Sequence, residues 1–234
     1  MRVVFVHGAC VTDGEWWWHR AARLLESRGT RSVSPVLPSC GEAGEAAGAN
    51  GPGLDADVAA VREELQRDDE PTVLVAHSYG GIVSAEAAAG IASVRHLLLI
   101  SSYLPEVGES LASFAGPEPA PFLDIDPVAG TLAVRPELLA ETFLHDCPEF
   151  ADDARRRLAP QTLSITQQPV RAAAWHEIPT TYLICSADRG TPAERQRAFA
   201  ARADTVVECD AGHHPFLSQP ETVVDLVASV QRSC

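Results

Sequence analysis

The chain has 234 residues, 46% of them hydrophobic, enough for one domain with a continuous core. Its 18 basic residues stand against 32 acidic ones, a formal net charge of -14, which disfavours phosphate backbones and anionic lipid surfaces, so neither nucleic acid nor membrane is expected as a partner. Every basic residue is arginine, and the absence of lysine removes Schiff-base and P-loop mechanisms.

Short β-rich apolar runs alternate with Ala/Leu/Arg/Glu-rich stretches of helical spacing, the pattern of βα units on a parallel sheet. The first strand is predicted at residues 2–6, a run too short for a secretory signal core and ended by His7-Gly8 without a cleavage pattern. A helix over 17–27, a strand over 32–36 and a mobile Gly/Ala-rich loop over 41–53 follow. A helix over 54–67, a strand over 72–76, a helix over 80–89 and a strand over 94–101 come next. After an interruption, a strand over 180–185, a helix over 192–203, a strand over 205–209 and a helix over 220–230 complete the pattern. Six strands make one doubly wound, mainly parallel sheet, an α/β fold. Between 102 and 176 the alternation stops, with nine prolines and helical pieces at 136–143 and 151–158. About 75 residues are too many for an ordinary βα connection, which predicts a helical cap, 102–176, inserted within a single domain spanning 1–234. No apolar run reaches transmembrane length.

The strand over 72–76 runs into His77-Ser78-Tyr79-Gly80-Gly81 and then a helix. A serine at such a corner is held in strained backbone with its hydroxyl exposed, and small residues on either side, here Ala76 and Gly80, allow strand and helix to approach. Ala76 stands where glycine is usual. A helix N-cap is the alternative role for a serine in this position. At the end of the first strand, Val6-His7-Gly8-Ala9 forms a turn able to present a backbone N–H at the same sheet edge. The Ala9 and Tyr79 amides are the natural pair to receive charge developing on a carbonyl oxygen, and His7 reads as a structural histidine of the turn. Two later strands end in Ser186-Ala187-Asp188-Arg189-Gly190 and Asp210-Ala211-Gly212-His213-His214-Pro215. The carboxyl ends of parallel strands converge on one crevice, so Ser78, Asp188 and His213 are expected to meet as nucleophile, acid and base. Spacing leaves His214 as a rival base; Gly212 favours His213 by permitting the turn that aims the next side chain inward.

On these residues the chain resembles the α/β-hydrolase family, in particular its compact branch of small bacterial esterases, plant methyl esterases and hydroxynitrile lyases. The resemblance covers nearly the whole chain and rests on His7-Gly8-Ala9 with Trp16-Trp17-Trp18, His77-Ser78-Tyr79-Gly80-Gly81, Pro179-Thr180-Thr181-Tyr182 leading to Asp188, and Gly212-His213-x-Pro215. It implies a Ser78–His213–Asp188 triad with Ala9 and Tyr79 as oxyanion donors. The lyases resemble the chain in architecture but carry lysine directly after the histidine and threonine two residues after the first strand; His214 and Gly8 stand there, so hydrolysis is preferred to cyanohydrin cleavage.

The expected reaction is acyl transfer from a small or medium apolar ester or lactone to Ser78, with no cofactor and no metal. Candidates to contact the small-molecule substrate are Gly8, Trp17, His77, Phe114, Phe122, Phe143, Trp175 and His214. Another reaction on the same scaffold and a non-enzymatic small-molecule receptor are the rival classes. The six cysteines, Cys10, Cys40, Cys147, Cys185, Cys209 and Cys234, lack close C-x-x-C spacing, and free thiols in a reducing cytoplasm are the simplest reading. Cys10 reads only as a small buried filler.

Overall fold

The computed structural model describes residues 1–116 and 118–233. The elements in chain order are β1 (Arg2–Val6), α1 (Gly14–Ser27), β2 (Ser32–Val33), α2 (Leu54–Leu65), β3 (Thr72–His77), α3 (Gly80–Ala87) and β4 (Val94–Ile100), then β5 (Leu123–Asp126), β6 (Thr131–Val134), α4 (Leu139–Phe143), α5 (Ala151–Arg155) and β7 (Gln161–Thr162), and finally β8 (Thr180–Cys185), α6 (Ala193–Ala200), β9 (Thr205–Cys209), α7 (Pro215–Ser218) and α8 (Pro220–Ser233). Six strands form one sheet in the order β2-β1-β3-β4-β8-β9, with every pairing parallel.

Both faces of the sheet are covered, because consecutive strand residues point to opposite sides. Val3, Phe5, Val73, Val75, Leu98 and Ile100 pack with Trp17, Trp18 and Leu25 of α1 and Val223, Val224 and Val227 of α8. The intervening Val4, Val6, Leu74, Ala76, Leu97 and Leu99 pack with α2, α3 and Phe199 of α6. Trp18 is 1% exposed, its ring stacked on Phe5 (centroids 4.4 Å apart) and tilted against Phe216 (3.9 Å). Truncating such a ring to alanine costs about 3–5 kcal/mol. The strands at 2–6, 180–185 and 205–209 lie where the sequence places them. The strand expected at 32–36 is only two residues long, since Pro35 has no N–H to continue the ladder at this sheet edge.

The region between β4 and β8 departs from the expected helical composition. It holds an antiparallel sheet, β5-β6-β7, beside the two short helices α4 and α5. The period-two alternation of Leu123 and Ile125 with Asp124 and Asp126 drives the first hairpin. Asp126 closes its turn by accepting from the Val128 and Ala129 amides, both at 2.9 Å. The Gly/Ala-rich run at 41–53 is tied to this small sheet, with the Ala49 amide donating to Ala129 O (2.9 Å) and the Gly48 amide to Thr162 Oγ1 (3.2 Å). Among the described residues no helix is long and apolar enough to cross a membrane.

Candidate active site

β3 and α3 meet at Ser78, whose φ of 51° is a left-handed conformation that costs a non-glycine residue energy and survives only where the surroundings enforce it. Gly80 makes the corner possible, since a Cβ there would lie 2.5 Å from Val6 O. The Ser102 hydroxyl pins the corner by donating to Ser78 O at 2.6 Å. Ser78 is half-buried while its neighbours His77 and Tyr79 are buried. Ser78 and His213 line one cavity of about 680 Å³ at the carboxyl ends of β1, β3 and β9.

Asp188, three residues past β8, and His213, four residues past β9, are bonded to each other: the His213 Nδ1–H donates to Asp188 Oδ2 at 2.7 Å. A carboxylate only accepts, so this bond puts the ring proton on Nδ1 and leaves Nε2 as the acceptor. Asp188 is saturated with donors. Its Oδ1 accepts from the Gly190 and Thr191 amides (2.7 and 2.9 Å), and its Oδ2 also from Gln196 Nε2 (3.2 Å) and the Ser101 hydroxyl. Burial alone would raise its pKa, but the interactions with His213 and these donors outweigh burial and hold it below the usual carboxylate range.

The adjacent histidine faces elsewhere. His214 Nδ1–H donates to Phe143 O (3.0 Å) and its ring stacks on Trp17, centroids 4.9 Å apart. Burial, reinforced by His213, lowers its pKa to about 3, so it stays neutral. His77 Nε2–H donates to the His213 carbonyl (2.9 Å), fixing the loop that carries His213. Burial and then the neighbouring His213 and His214 push the His77 pKa well below its ordinary value. His7 Nδ1–H donates to Gly8 O (2.8 Å), the turn-fixing role expected of it. Gly212 acts differently from expectation: its φ lies outside the left-handed region, and a Cβ there would sit 2.5 Å from Asp146 Oδ1. Its smallness admits the Asp146 carboxylate, which accepts from the Gly212 amide at 2.7 Å.

The structure places Gly8, Ala9, Trp17, His77, Tyr79, Phe114, Phe122, Phe143 and His214 on the same cavity wall as Ser78 and His213. Trp175 is not on it: its indole donates to Pro105 O (2.8 Å) and its ring stacks on His176. Glu106, a carboxylate following β4, bonds the exposed His176 (2.9 Å) and has no part in the His213 environment. Ser101 is the residue that sequence reasoning missed. It directly follows β4 with a φ of 43°, is fully buried, and sets its hydroxyl between Asp188 and His213 Nδ1, the latter at 3.3 Å. A serine at a strand end carries no signal of its own, and only the adjacency of β4 and β8 brings it to the acid.

A model of the alpha/beta hydrolase family matches residues 3–226. The chain belongs to that family. Among its relatives, this hydrolase is 31% identical over 188 residues to the alpha/beta hydrolase nvfD of Aspergillus novofumigatus (strain IBT 16806), covering 73% of this chain and 75% of the relative. It is 27% identical to a carbendazim hydrolyzing esterase of Nocardioides sp. (strain SG-4G), covering 97% of this chain and 98% of the esterase. The crystal structure of a pyrethroid hydrolase from Sphingobium faniae JZ-2 superposes with a TM-score of 0.84 at 23% identity, over 98% of this chain and 96% of that one. The shared architecture extends through the region between β4 and β8, which the alignments span.

Proposed function

We propose that the protein is a serine hydrolase that cleaves a small or medium apolar carboxylic ester or lactone through an acyl-enzyme. The observation that carries this reading is the bonded Asp188–His213 pair sharing a cavity with Ser78 at a strained strand–helix corner. Neutral His213 Nε2 takes the Ser78 proton as the hydroxyl oxygen attacks the carbonyl carbon, and Asp188 holds the ring and stabilises the imidazolium that forms. The Ala9 and Tyr79 amides receive the oxyanion; among the described residues neither has an acceptor within the chain. Collapse of the intermediate expels the alcohol, which takes the His213 proton. Water activated by the same histidine then hydrolyses the acyl-serine and restores both groups.

Trp17, Phe114, Phe122, Phe143, Leu132 and Leu158 make the wall apolar, suited to an uncharged acyl or alcohol group. Residues 102–176 act as the cap of a single domain, contributing Phe114, Phe122 and Phe143 to the wall. Relatives named as a carbendazim hydrolyzing esterase and as methylesterases of Arabidopsis thaliana support an ester-type substrate. The five described cysteines, all free, support a reducing compartment such as the cytoplasm. The test is turnover of an ester panel combined with fluorophosphonate labelling. Wild type is expected to label at Ser78 and turn over activated esters, and Ser78→Ala to do neither; near-wild-type turnover by Ser78→Ala refutes the mechanism.

A further inference from the structure

A buried chain of hydrogen bonds joins the two loops that carry the free amides. Asp57, in the first turn of α2, accepts from the Ser39 amide (2.9 Å), the Ser39 hydroxyl (2.5 Å) and the Tyr79 hydroxyl (2.7 Å). Ser39 Oγ accepts from Gln161 Nε2 on β7 (2.8 Å), and Gln161 Oε1 accepts from the Cys10 amide (2.9 Å). All five residues are at most 1% exposed.

The carboxylate gives this chain a direction. It has no lone proton to offer, so both hydroxyls must donate toward it; Ser39 Oγ is then left to accept, which turns the Gln161 amide group with Nε2 toward Ser39 and Oε1 toward Cys10. No cation faces Asp57 among the described residues, so a carboxylate is buried here on hydrogen bonds alone. Such burial is costly unless every acceptor site is used, and an apolar side chain would hold α2 to the sheet at lower cost. What an apolar side chain cannot do is orient two hydroxyls and an amide.

The loop end of the chain is strained. Cys10 has a φ of 60° and is held there from three sides, by Gln161, by its thiol on Leu132 O of β6 (3.6 Å) and by the Ala159 amide on its carbonyl (3.0 Å). Every one of these ties comes from the segment between β4 and β8. They set the peptide plane next to Ala9, while Tyr79, directly after Ser78, is held through its ring hydroxyl from the other side.

We propose that Asp57, Ser39 and Gln161 are positioning residues of the oxyanion site, fixing the Tyr79 ring at one end and the Ala9–Cys10 peptide at the other so that the Tyr79 and Ala9 amides converge on one point in the cavity. This rests on the oxyanion role given to those amides above, and it makes β7 of the inserted region part of the catalytic geometry.

Tyr79→Phe keeps the amide and removes only the hydroxyl, and Gln161→Met keeps the volume and removes both bonds. In each variant kcat for an activated ester, counted per fluorophosphonate-titrated site, should fall on the order of tenfold to a hundredfold with KM changed by less than about threefold. Inhibition by a trifluoromethyl ketone, whose bound alkoxide occupies the oxyanion position, should weaken by the same factor as kcat/KM. The double variant should lose little more than the worse single one, because both cut the same chain. A purely structural network would lower Tm or the titrated fraction and leave kcat per site within about twofold. That result for Tyr79→Phe overturns the proposal, whether or not Gln161→Met folds. With Ser78→Ala inactive, it overturns the positioning role alone; turnover surviving in Ser78→Ala removes the hydrolase reading and this proposal together.

Discussion

The two halves of the site are built in opposite ways. Past β8 and β9 the candidate catalytic groups are side chains, Asp188 and His213, which bond each other directly at 2.7 Å and are braced by Ser101, Gln196 and two backbone amides. Past β1 and β3 the proposed groups are the backbone amides of Ala9 and Tyr79, residues that line the cavity, and the side chains proposed to position them, Asp57, Ser39 and Gln161, are not on its wall. A side-chain acid–base pair announces itself by residue type. A pair of amides does not, and its precision has to be imposed by a network at a distance.

The largest expected effect strikes where the halves meet. Ser78→Ala and His213→Ala should each lower kcat on an activated ester by on the order of a million-fold, because nucleophile and base act as a unit, and single-turnover kinetics on both variants checks it. A loss in His213→Ala far smaller than in Ser78→Ala would break the assignment of the base. Asp188→Asn should cost on the order of ten-thousand-fold in kcat with the fold intact by circular dichroism, since an amide at that position no longer selects the Nδ1–H tautomer. These side-chain losses should exceed those of the oxyanion network variants by at least about a hundredfold, which is the sharpest form of the contrast.

Acid should separate the two kinds of buried group. Burial holds His7 at a pKa of about 4 and His214 at about 3, both below the unfolded value near 6.5, so the unfolded chain takes up protons first and stability is lost as pH falls below that value. By pH 5 each should have cost about 2 kcal/mol, read as a lower urea midpoint than at pH 7.5. Asp188 works in the same sense over a lower window: its depressed pKa contributes stability above the unfolded carboxylate value, and that stability is lost as pH falls from there through the folded one. A urea midpoint that stays flat from pH 7.5 to 5 would contradict neutral buried histidines.

Smaller effects follow from residues at the margin. His214→Ala, which opens the wall between Trp17 and Phe143, should change KM or ester preference by about tenfold or less and leave kcat near wild type. Glu106→Gln should leave both constants within about twofold, since its partner is exposed His176; a large loss would mean that the acid side is wrongly drawn.

The core strands were legible because each alternates or runs apolar under local rules. The Ser78 corner, Asp188 and His213 were legible as candidates because each follows a strand with the residue types such chemistry would need. The antiparallel sheet between β4 and β8 was less so: its strands are four, four and two residues long, and the last is recognisable only by its pairing with β6. Trp17 and Trp175 were equal candidates by type, and only packing put one on the cavity wall and the other against Pro105.

By itself the sequence determined the α/β sheet and the order of its catalytic candidates, which depend on residue type and on neighbours a few positions away; it only favoured His213 over His214, and on a left-handed Gly212 turn that the fold does not use. The tertiary structure alone decided that Ser101 braces Asp188, that Gly212 makes room for Asp146, and that Gln161 reaches the Cys10 amide across 151 residues of chain. A hydrogen bond needs two groups within about 3 Å at the right angle, and no local periodicity records which distant loop will supply the second.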